Sequence, residues 1–378
     1  MIIIAEAAIG GLSWVSWGSG EMEKSRLKLE PIPGAVEASK TRRFEVRDIA
    51  KRLGVISPER LFINGFPVSR PIAAFNASFR LEGDKVILYP RIIVGYYKYV
   101  SAIVETVIPV SDILSGQVNL DYYSSSLAIT PSTEYDLWGA EDPRAYTLMG
   151  LPAITYTGRT ISYFEKGGTD RTLPITALRR NSKWVKWIIH RPSSKLEGQI
   201  TNDKNAFILE DSGQFYFMHR PQDRNEEYYL VIGRIDEPPS LDQELVEVRT
   251  LEDKLALPHA EFEEKVGWGS PPIEVGPHEY LILLHGVGRK LQAYRFFALL
   301  LSTKAGEPEV LSVTPYYVIE PREPYEVYGD RPYTVFPCGA ARIDDEILVS
   351  YGAADYMIGF ATISYSELLM ILDKNRVG

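Results

Sequence analysis

The chain has 378 residues, 45% of them hydrophobic and 24% charged, which is the balance of a globular protein with a large core. Its formal net charge of -9 argues against nucleic acid as the main partner, because nucleic-acid binding needs a concentrated basic surface. The single cysteine, Cys338, excludes an intrachain disulfide and suits a reducing, cytoplasmic compartment, and no apolar run is long enough to cross a membrane.

Residues 1–69 are predicted to form an N-terminal arm and helix that precede the main domain. The apolar stretch 1–15 is interrupted by Glu6 and follows no basic residue, so it fails as a secretory signal. We interpret it as a strand or arm that packs on the body or on another subunit, which makes a homo-oligomer a hypothesis. Residues 44–61 have a helical pattern that Pro58 breaks.

Residues 70–378 are predicted to form one all-β domain that ends in a short helix over 366–373. Strands are predicted at 73–79, 85–91, 99–109, 207–209, 215–219, 228–235, 280–285, 294–301, 335–342, 347–351 and 360–364. Such strands build a sandwich, a barrel or a propeller. We favour a propeller, because polar strand ends far apart in the chain resemble parts of one site and a propeller gathers loops at one axis. The acidic stretch 236–266 is predicted to be an insertion over that site.

A carboxylate pair, Glu141 and Asp142, stands beside Pro143 and Arg144 just before a predicted strand. Proline pushes the preceding residue into an extended conformation, and alternation along a strand would then send the two carboxylates to opposite faces. One would face a cleft and the other would hold structure, while Arg144 would orient Asp142 or bind an anion. The alternative is a loop with a surface ion pair.

Polar side chains at several other strand ends are candidates for a binding site. Asn76 lies between apolar strand residues, where a buried amide needs partners, and Arg91 ends a strand. His285 ends an apolar strand, and Asp355 follows small residues that allow close approach. Structural hydrogen bonds are the alternative for each of them. No pair of histidines has metal-ligand spacing, so we predict no metal site.

Basic residues suggest an anion site on two further segments. Lys204 precedes a predicted strand and Arg220 follows its partner, so the two cations of one hairpin would converge on an anion, with the alternative that both are solvated. Lys265 begins a loop rich in Gly and Pro, which alone is a weak signal.

Taken together, these motifs resemble glycoside hydrolase family 130, the β-mannoside phosphorylases, over about residues 70–375. The motifs are Phe-Asn-Ala at Asn76, Gly-Ala-Glu-Asp-Pro-Arg, Asp-Lys-Asn-Ala, His-Arg-Pro, Lys-Val-Gly-Trp-Gly-Ser-Pro-Pro, His-Gly-Val, Phe-Pro-Cys-Gly-Ala and Tyr-Gly-Ala-Ala-Asp, in that order. The resemblance implies a five-bladed β-propeller that phosphorolyses β-mannosides with inversion to α-mannose 1-phosphate. Inorganic phosphate is then a co-substrate beside the manno-oligosaccharide, and no cofactor is expected.

The resemblance also implies a role for each candidate residue. Asp142 corresponds to the general acid, whose proton travels through a hydroxyl of the bound mannose. The residues that correspond to phosphate holders are Lys204, Asn205, Arg220 and Lys265. The residues assigned to the sugar are Asn76, Arg91, Arg144, His285, Phe336 and Asp355.

The cations favour phosphorolysis over the two alternative functions. An inverting hydrolase needs a second carboxylate that activates water, whereas a phosphorylase needs fixed cations that gather an anionic nucleophile. One alternative is an inverting β-mannosidase on the same scaffold, which would carry a glutamate across the pocket from Asp142. The other is a carbohydrate-binding propeller without turnover.

Overall fold

The computed structural model describes residues 26–95, 97–165 and 167–377. Its strands form five sheets of four or five strands each, arranged as the blades of a propeller, together with one separate two-stranded pair. The first strands of blades one, two and five contact one another near the axis. The predicted all-β, five-bladed propeller is therefore confirmed, whereas the predicted arm over residues 1–15 lies outside the described residues.

The blades are numbered along the chain, and the strands of each are given from the axis outward. Blade one comprises Ala73–Glu82, Lys85–Ile93, Ser101–Pro109, Tyr123–Ile129 and Leu61–Ile63. Blade two comprises Ala140–Leu148, Leu151–Arg159, Thr172–Arg180, Lys183–Arg191 and Val246–Arg249. Blade three comprises Phe207–Asp211, Gln214–His219, Leu230–Ile235 and Asp253–Leu257.

Blades four and five complete the ring. Blade four comprises Glu263–Trp268, Glu279–Gly288, Tyr294–Ser302 and Glu309–Val313, with Ile273–Gly276 paired to its second strand. Blade five comprises Val335–Ile343, Glu346–Ala353, Met357–Ser364 and Ala50–Ile56. The separate pair joins Ile200–Asn202 and Gln222–Asp223. The described helices are Ala35–Thr41, Val110–Leu114, Pro324–Val327 and Tyr365–Asp373, with 3-10 turns at Pro58–Arg60, Gln117–Asn119 and Ser194–Leu196.

The N-terminal part of the chain closes the ring, and the helix predicted over residues 44–61 is wrong. Ala50–Ile56 instead pairs antiparallel with Met357–Ser364 as the outer strand of blade five, and Leu61–Ile63 extends blade one. As a strand, this segment forms hydrogen bonds with the free N–H and C=O groups at the edge of the sheet, which a helix would leave unpaired. The tertiary context therefore overrides the local helical pattern. Strands from residues 50–63 are thus built into the propeller.

The insertion predicted over residues 236–266 is also wrong. Val246–Arg249 runs parallel to Lys183–Arg191 as the outer strand of blade two, and Asp253–Leu257 is the outer strand of blade three. Charged side chains are tolerated on such edge strands, so the acidic composition that predicted a loop is compatible with a strand here. The C-terminal helix is confirmed as Tyr365–Asp373, where the Ser364 side chain accepts a hydrogen bond from the backbone N–H of Glu367 at 3.3 Å.

Apolar side chains fill the spaces between the blades. Cys338 is fully buried in blade five, and burial raises the pKa of its thiol to about 12, so it is a core residue. In the described part of the chain, the helices are all too short or too polar to span a lipid bilayer.

Candidate active site

All five blades send side chains to the same end of the central axis. The hairpin register repeats there: Phe75 lies opposite Arg91, Gly267 opposite His285 and Phe336 opposite Gly352. Residues near the start of a first strand and near the end of a second strand therefore meet at one rim. They surround a cavity lined by Asn76, Arg91, Glu141, Asp142, Arg159, Tyr163, Lys204, Asn205, Arg220, Tyr294, Arg331, Thr334, Phe336 and Asp355.

Four of the cavity residues adopt the left-handed backbone conformation. The φ angles are 47° for Asn76, 46° for Asp142, 55° for Asn205 and 50° for Asp355. Asn and Asp tolerate this region better than other side chains, and residues in it cluster at functional sites. They come from blades one, two, three and five, so four blades use the same local device to turn a polar side chain toward the axis.

A bulge brings both carboxylates of the Glu-Asp pair into the cavity. The register of blade two shifts between Glu141 and Arg144, and Asp142 is left-handed rather than extended. The prediction that the two carboxylates point to opposite faces is therefore wrong, because a bulge interrupts strand alternation. Both carboxylates contact Arg91, whose Nη2 lies 3.3 Å from Glu141 Oε1 and whose Nη1 lies 2.9 Å from Asp142 Oδ1.

Asp142 is held as an anion. Its Oδ1 accepts hydrogen bonds from Asn76 Nδ2 at 2.8 Å and from Arg91 Nη1 at 2.9 Å. Burial opposes the charged form, but the Arg91 charge and the Asn76 hydrogen bond outweigh it and lower the pKa of Asp142 to about 2. A proton donor at this position must gain its proton when the electrostatic surroundings change.

Glu141 is the structural partner of the pair. Its Oε1 accepts from Arg159 Nε and from the Tyr163 hydroxyl, both at 2.8 Å. Burial again opposes ionisation, but the charges of Arg91 and Arg159 keep the pKa of Glu141 below its usual value. Glu141 thereby orients Arg91 toward Asp142.

Asp355 differs from both of these carboxylates. Burial and the nearby Asp142 charge raise its pKa to about 6, although Arg331, whose Nε lies 3.4 Å from Asp355 Oδ2, favours the charged form. The two aspartates of the cavity therefore have widely separated pKa values, a pattern typical of a functional site.

The sugar-binding role predicted for Asp355 implies that acidification weakens sugar binding. As a carboxylate it would accept hydrogen bonds from sugar hydroxyls, and protonation below about pH 6 would remove this charged acceptor. We expect the KM for a mannoside to rise below pH 6. Asp355→Asn should raise that KM about 10- to 100-fold at neutral pH and abolish its pH dependence. Steady-state kinetics across the acid range check this, and an unchanged acid limb in the variant would contradict it.

The three cations predicted to form an anion site surround Tyr228, a residue that the sequence analysis did not identify as part of the site. From the Tyr228 ring centroid, Arg220 Cζ lies at 4.4 Å, Lys204 Nζ at 5.3 Å and Lys265 Nζ at 5.8 Å. We call Lys204, Arg220 and Lys265 the cation cluster. Lys204 and Arg220 line the cavity, and Lys265 also lies 5.3 Å from the ring of Tyr294, which lines it as well.

Several buried polar atoms at the cavity have no partner among the described residues. Asn205 is 1% exposed, yet neither its Nδ2 nor its Oδ1 makes a hydrogen bond. Asn76 Oδ1 and Arg220 Nε are likewise unsatisfied. Buried polar groups are normally paired, so these atoms indicate a site that a polar ligand completes.

Two residues predicted to bind sugar lie behind the cavity wall. Arg144 is fully buried, and its guanidinium donates to the carbonyl oxygens of Gly269 and Asp142, the latter at 2.9 Å. His285 is also fully buried, and burial and the Arg220 charge hold its pKa well below the usual value. The neutral ring therefore accepts a hydrogen bond at Nε2 from Arg220 Nη1 at 2.9 Å. Both residues position cavity groups.

A buried ionic triad supports the segments that carry the cation cluster. His219 Nδ1 lies 2.8 Å from Asp203 Oδ2, and His219 Nε2 lies 3.2 Å from Asp253 Oδ1, with all three side chains at most 1% exposed. Burial disfavours the charged ring, but Asp203 and Asp253 raise the pKa of His219 to about 10. Asp203 precedes Lys204 and His219 precedes Arg220, so this imidazolium joins the two segments.

Comparisons with known proteins agree with this architecture. A family model described as beta-1,4-mannooligosaccharide phosphorylase matches residues 40–374. The beta-1,2-mannobiose phosphorylase of Thermoanaerobacter sp. (strain X514) is 26% identical over 312 residues, which cover 78% of this chain and 91% of that protein.

Solved structures share the fold at low sequence identity. The beta-1,2-mannobiose phosphorylase of Listeria innocua, solved with beta-1,2-mannobiose, has a TM-score of 0.62 and 18% identity, over 85% of this chain and 97% of that one. A mannose phosphorylase of Leishmania mexicana, solved with a phosphate ion, has a TM-score of 0.51 and 13% identity, over 90% and 94% of the two chains. These likenesses concern the fold.

Proposed function

The chain belongs to glycoside hydrolase family 130, and we propose that it phosphorolyses β-mannosides with inversion, releasing α-mannose 1-phosphate. One observation carries the proposal: a single cavity holds the carboxyl candidate Asp142 together with the cations Lys204 and Arg220. A sugar and an inorganic anion would thus meet in one enclosed space. Positioning and electrostatic stabilisation are what an anionic nucleophile requires of an enzyme.

The mannose is proposed to occupy the side formed by blades one and five. Asn76 keeps an unsatisfied Oδ1, Arg91 is oriented by Glu141, and Asp355 offers carboxylate oxygens, so hydroxyl groups would find both donors and acceptors. Phe336 adds an apolar ring to the same wall, against which a pyranose face would pack.

Phosphate is proposed to bind on the side formed by blade three. Lys204 and Arg220 supply two positive charges in the wall, Asn205 supplies an unsatisfied amide, and Lys265 adds charge from behind. His285 and the Asp203–His219–Asp253 triad hold this arrangement before phosphate arrives. Such preorganisation makes a fixed cation worth more than a solvated one.

Asp142 is the proposed proton donor, and it must be protonated before it can act. Phosphate entering the cavity would neutralise nearby cations and bring negative charge, both of which raise the pKa of Asp142 from about 2. The protonated acid passes its proton through a mannose hydroxyl to the leaving oxygen. A phosphate oxygen bonds to the anomeric carbon as the bond to the leaving oxygen breaks, so HPO4²⁻ and the glycoside give the mannose 1-phosphate dianion and a leaving group with a free hydroxyl. The proton of HPO4²⁻ then replaces the proton that Asp142 gives up.

The cavity favours this reaction over hydrolysis. Its acidic lining residues are Glu141, Asp142 and Asp355, and Glu141 is occupied by Arg91 and Arg159. Asp355 is paired with Arg331. An inverting hydrolase needs a free base with a water between base and sugar, whereas Lys204 and Arg220 suit an anion.

The test is a panel of β-1,2- and β-1,4-linked mannobioses incubated with and without phosphate. Both linkages belong in the panel, because the family description names one and the Thermoanaerobacter relative the other. We expect mannose 1-phosphate only when phosphate is present. Release of free mannose at the same rate without phosphate would favour the hydrolase, and tight sugar binding without turnover would favour the binding module.

A further inference from the structure

We propose that Tyr228 is a specificity-determining residue of the phosphate site: its neutral phenol donates a hydrogen bond to bound phosphate, and its phenolate excludes phosphate. This inference rests on the proposed phosphorolysis and adds a residue that no motif singled out. It follows from the position of the ring among the three cations of the cation cluster, two of which, Lys204 and Arg220, line the cavity together with the unsatisfied Asn205 amide.

The groups that face Tyr228 are positive or neutral. Lys204 comes from the segment before blade three, Arg220 from the end of its second strand and Lys265 from the first strand of blade four. His259 also lies nearby, and burial lowers its pKa, so the ring is neutral. The phenol therefore meets positive charge from two blades, and its backbone is held by a bridge between Gln222 and Tyr228.

The next residue, Tyr229, lies in the opposite environment, whereas Tyr294, whose ring lies 5.3 Å from Lys265 Nζ, shares part of the cation cluster and also has a pKa that Lys265 lowers against burial. The hydroxyl of Tyr229 donates toward Asp223 Oδ2 at 3.1 Å and Glu227 Oε2 at 3.2 Å. Burial and Asp223 raise the pKa of Tyr229, whereas Lys204 and Arg220 overcome burial and lower the pKa of Tyr228 to about 8. Two adjacent phenols thus face opposite charges, which provides a matched control.

The chemical consequence depends on which form the phenol takes. Near neutral pH the O–H is intact, and neighbouring cations make it a stronger donor to an anionic oxygen. As the pH rises through about 8, the phenolate places a negative charge among the cations that phosphate needs. Binding of phosphate and ionisation of Tyr228 are then mutually exclusive, so phosphate affinity falls with pH.

The test compares Tyr228→Phe with Tyr229→Phe in the full-length enzyme. For the unmodified enzyme, we expect the KM for phosphate to rise about tenfold per pH unit above about 8. Tyr228→Phe should raise this KM about 10-fold at neutral pH and remove the rise at alkaline pH, with little change in the KM for mannoside. Tyr229→Phe should behave like the unmodified enzyme. A Tyr228→Phe variant that keeps the alkaline rise, or that raises both KM values equally, would overturn the proposal.

Calorimetric titration with inorganic phosphate separates this inference from the reaction itself. If the unmodified enzyme binds phosphate and Tyr228→Phe binds it equally well at every pH, only the role of Tyr228 fails. If the unmodified enzyme binds no phosphate at all, the proposed phosphorolysis fails as well, and Tyr228 has no phosphate to recognise.

Discussion

Replacement of Asp142 by asparagine is expected to lower phosphorolysis at least about 100-fold while the propeller stays folded. The amide keeps the size of the side chain and an oxygen that accepts from Asn76 and Arg91, so the cavity retains its shape. It carries no proton that can be given to a leaving oxygen. The measurement is the initial rate of mannose 1-phosphate formation from a mannobiose at saturating phosphate.

The leaving group supplies the control for this prediction. A β-mannoside with a nitrophenolate leaving group needs little protonation, so Asp142→Asn should lose much less activity on it than on a mannobiose. Asp355→Asn should lose similar activity on both substrates, because Asp355 is proposed to bind the sugar. Equal losses on both substrates for Asp142→Asn would show that Asp142 only binds or orients the sugar.

Most of the cavity residues could be predicted from local sequence motifs, because each motif lies at the open end of a hairpin of the propeller. Asn76 and Asp142 lie near the start of a first strand and Lys204 precedes one, whereas Arg91 lies near the end of a second strand and Arg220 directly follows one. Strand ends with polar residues are visible in sequence. The repeat of the blades is not, because the connections differ in length and outer strands come from distant segments, such as Ala50–Ile56 in blade five.

Backbone irregularity limited the prediction of side-chain direction. Alternation assigned opposite faces to Glu141 and Asp142, but a bulge with Asp142 in the left-handed region turned both inward. The small residues before Asp355 gave a better signal. They predicted that another group approaches the backbone closely. A Cβ on Gly352 would collide with Asn76 Oδ1, so the glycine makes room for the side-chain amide of Asn76 from blade one.

Contacts between side chains of different blades could not be predicted from the sequence. Tyr163 and Arg331 enter the cavity from loops, and nothing in their neighbours distinguishes them from ordinary loop residues. Arg144 and His285 were assigned to the sugar, yet their partners are a carbonyl of blade four and a guanidinium of blade three. The charge of His219 depends on Asp203 and on Asp253, and the latter lies 34 positions further along the chain.

The buried triad leads to the largest expected effect on stability. The His219 imidazolium lies between Asp203 and Asp253, so removing it leaves two desolvated carboxylates without a counter-charge. His219→Gln should therefore lower the free energy of unfolding by about 3–5 kcal/mol. The pKa of His219 is raised from 6.5 to about 10, so its contribution is complete below about pH 6.5 and is lost as the pH rises through 10.

His190 provides a matched control within the same stack of rings. Phe217 is sandwiched between the two histidines, with its ring centroid 4.1 Å from His190 and 4.7 Å from His219. Burial lowers the pKa of His190 to about 3, so this ring is neutral, and His190→Gln loses similar packing but no charge. In urea titrations at neutral pH, His219→Gln should cost more stability than His190→Gln, and the deficit relative to the unmodified protein should shrink near pH 10 only for His219→Gln. Equal costs for the two variants, or a deficit for His219→Gln that is independent of pH, would mean that the His219 ring stabilises the fold by packing alone.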